Sequence, residues 1–151
     1  MRWIKRLFSF RGRAPRLEYW LTLLLCVVLA GLAGALLRVG FRVGLQSGAP
    51  VALLFAPLIV IISLAAASRR LHDRNKSAWW LLLFYVAPNI LSGISNAMMG
   101  PDPEIRPIEA ILPALGLLIV ALALGLWGFI ELGFLPGARG DNRYGPTRTR
   151  T

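Results

Sequence analysis

Four long apolar runs constrain the fold of this chain more than any other feature of its sequence. Each run has close to the roughly 20 residues that an α-helix needs to cross a bilayer. Because a backbone in lipid must satisfy its own hydrogen bonds, such runs predict helices. The predicted spans are about 18–38, 50–68, 78–97 and 108–135. The sequence therefore predicts an all-α membrane protein, a single polytopic domain over residues 1–151 with four transmembrane helices and a basic tail at 136–151.

The composition excludes an ordinary soluble domain and narrows the choice of partners. The chain is 56% hydrophobic and only 16% charged, with a net charge of +10, whereas a soluble domain carries about 25% charged residues. A basic balance suits either nucleic acid or an anionic membrane surface. Because the cations lie between apolar runs, no soluble basic face is left for nucleic acid. We expect anionic membrane lipids as partners and no nucleic acid.

The distribution of lysine and arginine predicts the orientation in the membrane. Six of these residues precede the first span, four lie between the second and third, and four follow the last span. These fourteen cations fall on one side of a four-span chain, and only three fall on the other. Cytoplasmic segments carry the excess of lysine and arginine. The sequence therefore predicts that both termini are cytoplasmic.

The N-terminal segment 2–10 has helical amphipathic periodicity. One face carries apolar residues and the other carries cations, which is typical of a short helix lying in the membrane interface. The apolar face comprises Trp3, Ile4, Leu7 and Phe8, and the polar face comprises Arg2, Lys5, Arg6 and Ser9. We expect an interfacial helix here, followed by a turn at Gly12 and Pro15.

Three polar motifs lie on the predicted cytoplasmic side. They read "FSFRGRAPRLEYW", "SRRLHDRNKSAWW" and "GARGDNRYGP" in chain order. With four apolar spans between and around them, they resemble the bacterial inner-membrane family called domain of unknown function 805 (DUF805, YhaH-like). The resemblance implies a small multi-pass protein of the bacterial inner (plasma) membrane, with no established molecular activity and no catalytic residues to carry over. Members of that family often have glycine where this chain has Asn75.

The motifs supply the polar side chains that are candidates for binding a ligand or a lipid headgroup. These candidates are Arg13, Arg16, Arg69, Arg70, His72, Asp73, Asn142 and Tyr144. On a continuing helix, Asp73 is spaced to pair with Arg69 at i,i+4 or with Arg70 at i,i+3. His72 and Asp73 are adjacent and do not face each other on a helix.

A second group of polar residues lies within the predicted spans, where charges are costly and indicate function or a partner. Glu18 and Glu131 are near the cytoplasmic ends of their spans, so we predict an ionic cluster in which both pair with motif arginines. Asn89, Ser92 and Asn96 share one face of the third span, with spacing that suits hydrogen bonds between helices. The cluster has three interpretations: a lock between helix ends, a site for an anionic headgroup or small anion, or a proton or ion path.

No metal or cofactor is expected. The chain has one histidine and one cysteine, Cys26, too few for the usual metal-ligand sets. No nucleophile motif is present, so we predict no catalytic residues. The first hypothesis is a non-enzymatic anchor or interaction protein with a basic cytoplasmic face for anionic lipid or a partner protein. The alternatives are a small transporter or channel subunit, acting as a homo-oligomer, and a lipid-modifying enzyme that uses His72 and Asp73.

Overall fold

The structure, a computed structural model, describes residues 2–42, 49–100 and 108–146. Described residues form helices and turns without a strand, as the sequence predicts. The elements are α1 (Arg2–Leu7), α2 (Arg16–Arg42), α3 (Ala49–Asp73), a π-helical turn (Leu82–Val86), α4 (Ala87–Met99) and α5 (Ile108–Gly133). Arg106, Arg148 and Arg150, three of the cations counted above, lie outside the described residues.

Four helical segments are long and apolar enough to cross a membrane, which confirms the four predicted spans. They are Arg16–Arg42, Leu54–Asp73, Leu82–Met99 and Ile111–Gly133. Their outer surfaces are apolar: the side chains of Val27 and Ile119, for example, are each 66% exposed. A soluble monomer rarely leaves so many large apolar side chains in contiguous exposed patches, whereas a lipid environment favours them.

Several helix ends differ from the predicted boundaries, and α2 ends at Arg42 rather than at 38. Helix α3 runs to Asp73, beyond the predicted end of the span at 68, because Ala65–Ala67 and the following arginines and leucine are good helix formers. Helix α1 ends at Leu7, before the predicted end at residue 10. The Ser9 hydroxyl accepts a hydrogen bond from the Arg11 backbone N–H at 3.3 Å, a local side-chain bond that competes with helix continuation.

The chain divides into two compact units. The first comprises Met1–Ser77 and Pro136–Thr151. Within it α2 packs along α3, and α1 contacts α3. The C-terminal third of α3 is buried on every side, since residues 65–71 are all at most 2% exposed. This buried helix end, which carries two arginines, is the part of the unit on which the motif segments assemble.

The second unit comprises Ala78–Leu135, in which α4 and the π-helical turn pack against α5. The π-helical turn ends two residues before Pro88, which lies in the first turn of α4. Proline has no N–H and its ring clashes with the carbonyl of residue i−4, so a wider turn just before it relieves both problems. Phe84 of this turn fits against Gly128, where an added Cβ would lie 2.8 Å from the Phe84 Cβ.

Candidate functional site

The three sequence motifs meet in one hydrogen-bonded cluster inside the first unit. We call it the Arg13 cluster, and it consists of Arg13, Arg70, His72, Asp73, Asn142 and Tyr144. The loop between α1 and α2 supplies the first of these residues, the end of α3 the next three, and the C-terminal segment the last two. Residues separated by 60 to 132 positions in the chain are joined there by side-chain hydrogen bonds.

Arg13 is the centre of the cluster, and its side chain is 3% exposed. Nε donates to Asp73 Oδ1 at 3.0 Å. Nη1 donates to the carbonyls of Gly140 at 2.8 Å and Gly145 at 3.4 Å, and Nη2 donates to those of Ala138 at 2.8 Å and Asp73 at 3.5 Å. A guanidinium has five N–H donors, and these five contacts occupy all of them. Arg13 therefore has no donor left for an outside ligand.

Asp73 holds two arginines at once. Its Oδ1 accepts from Arg13, and its Oδ2 accepts from Nη1 of Arg70, which is fully buried. Of the two predicted partners on its own helix, Asp73 thus pairs with Arg70 at i,i+3. A buried cation is tolerated only when it is paired and hydrogen-bonded. Asp73 is therefore the residue that permits both arginines to be inside the protein.

The sequence analysis did not identify Gly137 as a site residue. In the structure, the carboxylate of Asp73 lies so close to Gly137 that a side chain at position 137 would collide with it. A Cβ added at position 137 would lie 2.1 Å from Asp73 Oδ2. The next residue, Ala138, donates its backbone N–H to the Asp73 carbonyl at 2.8 Å. The signal was present in the third motif, which begins with this glycine, but the sequence alone does not show what approaches it.

The C-terminal segment closes over the cluster as a tight turn. The backbones of Asn142 and Gly145 exchange two hydrogen bonds, 3.2 and 2.9 Å long, and the Asn142 Oδ1 accepts from the Tyr144 N–H at 2.9 Å. Gly145 has φ of +133°, which favours glycine. The Asn142 side chain also contacts the end of α3, because its Nδ2 donates to the His72 carbonyl at 2.9 Å.

His72 is enclosed by two motif segments. Its ring stacks on the Tyr144 ring with centroids 3.9 Å apart and planes 9° from parallel. Because a carbonyl only accepts, Nδ1 donates to the Gly12 carbonyl at 3.2 Å. The ring face and Nδ1 are thus engaged in structure, which fixes the orientation of the ring and leaves Nε2 as the nitrogen without a proton.

The end of α3 turns by a left-handed cap. Asn75 has φ of +59°, its N–H donates to the His72 carbonyl at 3.0 Å, and the Lys76 N–H donates to the Leu71 carbonyl at 2.9 Å. These are the two bonds of a Schellman motif, in which the left-handed residue is usually glycine and sometimes asparagine. Asn75 therefore occupies the left-handed position that glycine most often fills in such a cap.

A second ion pair lies beside the Arg13 cluster. Arg69, which is 2% exposed, donates to Glu18 of α2 through Nη1 and to the Ala65 carbonyl through Nε. The predicted pairing of Glu18 with a motif arginine is present. Glu131 belongs to the second unit and is 3% exposed, and its pairing with a motif arginine stays a prediction. Arg16, at the start of α2, is exposed.

The polar stripe of the third span has a different outcome from the one expected. Asn89 Nδ2 donates at 2.6 Å to the Tyr85 carbonyl, four residues earlier in its own chain segment. Ser92 is half-buried and Asn96 is exposed. The bond between α4 and α5 is made instead by Ser95, fully buried, whose hydroxyl donates to the Ala114 carbonyl at 2.7 Å. Asn89 and Ser92 nevertheless line a cavity together with residues of α5, so the spacing identified the correct helix but not the residue that makes the hydrogen bond.

Within residues 2–42, 49–100 and 108–146, no group of three histidine, cysteine, aspartate or glutamate side chains is placed to hold a metal ion. What the Arg13 cluster does provide is a charge-assisted junction between three segments. Its donors and acceptors face one another, and a cavity of about 330 Å³ lies next to it, lined by Pro15, Arg16, Arg70, Asp73 and Gly137. Two guanidinium groups and one carboxylate line that cavity, and the carboxylate is already paired with Arg70.

The segments that form this junction lie within the match to a protein-family model. The family model described as "Protein of unknown function (DUF805)" matches residues 7–146, a range that includes every residue of the Arg13 cluster. The chain belongs to the DUF805 family. The resemblance seen in the three motifs is thereby confirmed over nearly the whole length of the chain.

The chain is similar to two proteins named inner membrane protein and to one named uncharacterized protein. The chain is 32% identical to inner membrane protein YhaH of Escherichia coli strain K12, over 69% of this chain and 94% of YhaH. It is 32% identical to YiiR of the same strain, over 92% of this chain and 85% of YiiR. Inner membrane protein YhaI, also from that strain, is 34% identical over 55% of this chain and 67% of YhaI. No solved structure matches the chain.

Proposed function

We propose that this DUF805 protein is a non-enzymatic anchor of the bacterial inner membrane that presents a basic cytoplasmic surface to anionic phospholipid. In this proposal the segments before the first span and after the last span are both cytoplasmic. The Arg13 cluster has a structural role, because it ties these two segments to the end of α3 and so makes them one surface.

The observation that carries the proposal is a division among the cations. Arg13, Arg69 and Arg70 are buried and paired with carboxylates, so their charge is used within the protein. A second set is exposed, and its side chains make no ion pair in the part of the chain that the structure describes. We call these residues the outer cations: Lys5, Arg6, Arg11, Arg16 and Arg139. Each cation close to an anionic membrane surface contributes about 1 kcal/mol of attraction.

The lipid preference can be measured on the full-length protein, isolated with its surrounding lipids in polymer-bounded nanodiscs. We expect the co-isolated lipids to be enriched in phosphatidylglycerol over the bulk membrane. The double variant Arg11→Gln/Arg139→Gln should lose most of this enrichment, because it removes about 2 kcal/mol of attraction. The matched control is Arg38→Gln/Arg42→Gln, which removes the same charge from exposed positions at the other end of α2. Equal loss in both variants would contradict the proposal.

Orientation requires its own measurement. In a Cys26→Ser background, a single cysteine at position 139 should react with a membrane-permeant thiol reagent but not with an impermeant one added to intact spheroplasts. A cysteine at position 41, near the end of α2, should react with both. The reverse pattern would place the basic surface outside the cell and end the proposal.

A protein partner at the same surface is the competing interpretation. A photoreactive amino acid at position 139, with position 41 as the control, distinguishes the two in native membranes. Crosslinks to phospholipid alone are expected. A defined protein adduct formed at position 139 and absent at position 41 would replace the lipid by a protein partner.

A further inference from the structure

An apolar groove of the first unit lies next to the Glu18–Arg69 pair. Its walls are formed by Leu7 of α1 and by Leu17, Leu21 and Leu25 of α2, and Arg6 stands at its edge. Leu25 is eight residues beyond Leu17 on the helix, so the groove runs for about 12 Å along α2. Leu17 and Leu21, two of its walls, are exposed on a helix long and apolar enough to cross a membrane.

The charges around the groove specify the headgroup that would suit it. Glu18 and Arg69 neutralise each other. Arg6 is exposed, and within the described ranges its side chain has neither an ion pair nor a hydrogen bond. The groove therefore has one uncompensated cation at its end and leucine side chains along its length. This combination matches a ligand with one negative group attached to a long hydrocarbon chain.

We propose that this groove binds one acyl chain of an anionic diacyl phospholipid, with the lipid phosphate on the Arg6 guanidinium. The inference rests on the proposed function, since it names one bound lipid among those attracted to the basic surface. A guanidinium holds a phosphate by two parallel N–H···O bonds, and the leucine walls exclude water from the chain. A zwitterionic lipid offers the same chain, but its cationic group opposes Arg6.

Native mass spectrometry of the full-length protein in mild detergent tests the proposal. Equimolar phosphatidylglycerol should give a single adduct, several-fold more abundant than the adduct with phosphatidylcholine. Arg6→Gln should reduce the phosphatidylglycerol adduct to the phosphatidylcholine level. Arg42→Gln removes the same charge from an exposed position at the other end of α2, outside the groove and outside the set of outer cations, and should leave the adduct unchanged. Equal losses in the two variants would overturn the site, while leaving the basic surface of the proposed function in place.

The apolar part of the groove has its own pair of variants. Leu21→Trp fills the groove and should reduce the adducts of both lipids several-fold. Leu24→Trp introduces the same side chain at an exposed position of α2 that does not line the groove and should not. If Leu21→Trp instead removes a dimer peak and spares the lipid adducts, the groove is occupied by a second copy and the lipid site is wrong. Continued protection of the buried Cys26 thiol shows that each variant is folded.

Discussion

Each of the two units is stabilised internally by a different kind of interaction. In the first unit, a buried guanidinium gathers a carboxylate and backbone carbonyls from segments up to 132 residues apart. In the second unit, a cluster of aromatic rings formed by Trp80, Phe84 and Trp127 packs with centroids 5.3 to 5.8 Å apart, and Phe84 sits on a glycine of α5.

The difference shows how each kind of interaction specifies structure. Satisfied charged networks accept only one arrangement of donors and acceptors, because any other leaves a buried charge unpaired. Packing of rings against small residues depends on shape and tolerates modest changes at a modest cost. Equivalent small substitutions should therefore cost more in the first unit than in the second.

The largest effect is expected from Asp73→Asn. This change removes the carboxylate with which both Arg13 and Arg70, two buried cations, are paired. Breaking a buried ion pair costs about 3 to 5 kcal/mol. Thermal unfolding, followed by reaction of the buried Cys26 thiol with a fluorogenic maleimide, measures the loss. The control is Glu109→Gln, at an exposed position of α5, and equal melting temperatures for the two variants would refute the role given to Asp73.

Gly137→Ala should come next. The added Cβ would lie 2.1 Å from Asp73 Oδ2, so the C-terminal segment must move away from the carboxylate. We expect faster trypsin cleavage after Arg139 together with a loss of about 2 to 3 kcal/mol of stability. Gly31→Ala is the control, because nothing lies within 4 Å of a Cβ there. If both variants are cleaved at the wild-type rate, position 137 does not require glycine.

The corresponding change in the second unit is Gly128→Ala. Its Cβ would lie 2.8 Å from the Cβ of Phe84, and we expect a cost of about 1 to 2 kcal/mol as the aromatic cluster shifts. Gly125→Ala, on the same helix with nothing within 4 Å, should be neutral or stabilising by up to about 1 kcal/mol. The same thiol-reactivity melting curves compare the pair. A larger loss at Gly128 than at Gly137 would reverse the proposed contrast between the units.

The smallest effect is expected at Asn75, whose φ is +59°. Glycine reaches this conformation without the strain of a Cβ. Asn75→Gly should therefore raise stability by up to about 1 kcal/mol, whereas Asn75→Ala should lower it by a similar amount. If the alanine variant melts at a higher temperature than the glycine variant, the cap at the end of α3 is not formed as described.

Much of this fold was predictable, because long apolar runs leave a chain in lipid few alternatives to helices. The three motifs were also recognisable as a group, since the cation distribution predicts that they share one side of the membrane. Their internal geometry was not. Nothing in the sequence indicates that Arg13 would use all five donors on carbonyls and on Asp73, because backbone acceptors have no sequence signal.

Polar residues inside the spans were harder to interpret for a related reason. Ser95 and Asn96 are neighbours, and only the rotation of α4 about its axis decides which of them contacts α5. Spacing counted on a regular helix placed Asn89 and Ser92 beside residues of α5. It gave no sign that Ser95 would make the hydrogen bond, because the acceptor is a backbone carbonyl.

The central claim is that Arg13 holds the N-terminal and C-terminal segments against the end of α3. The most direct test is the distribution of distances between spin labels at positions 11 and 139, measured in lipid nanodiscs in a Cys26→Ser background. We expect a narrow distribution for the otherwise unmodified chain and a broad one when Arg13→Met is added. A distribution that Arg13→Met leaves unchanged would contradict the claim.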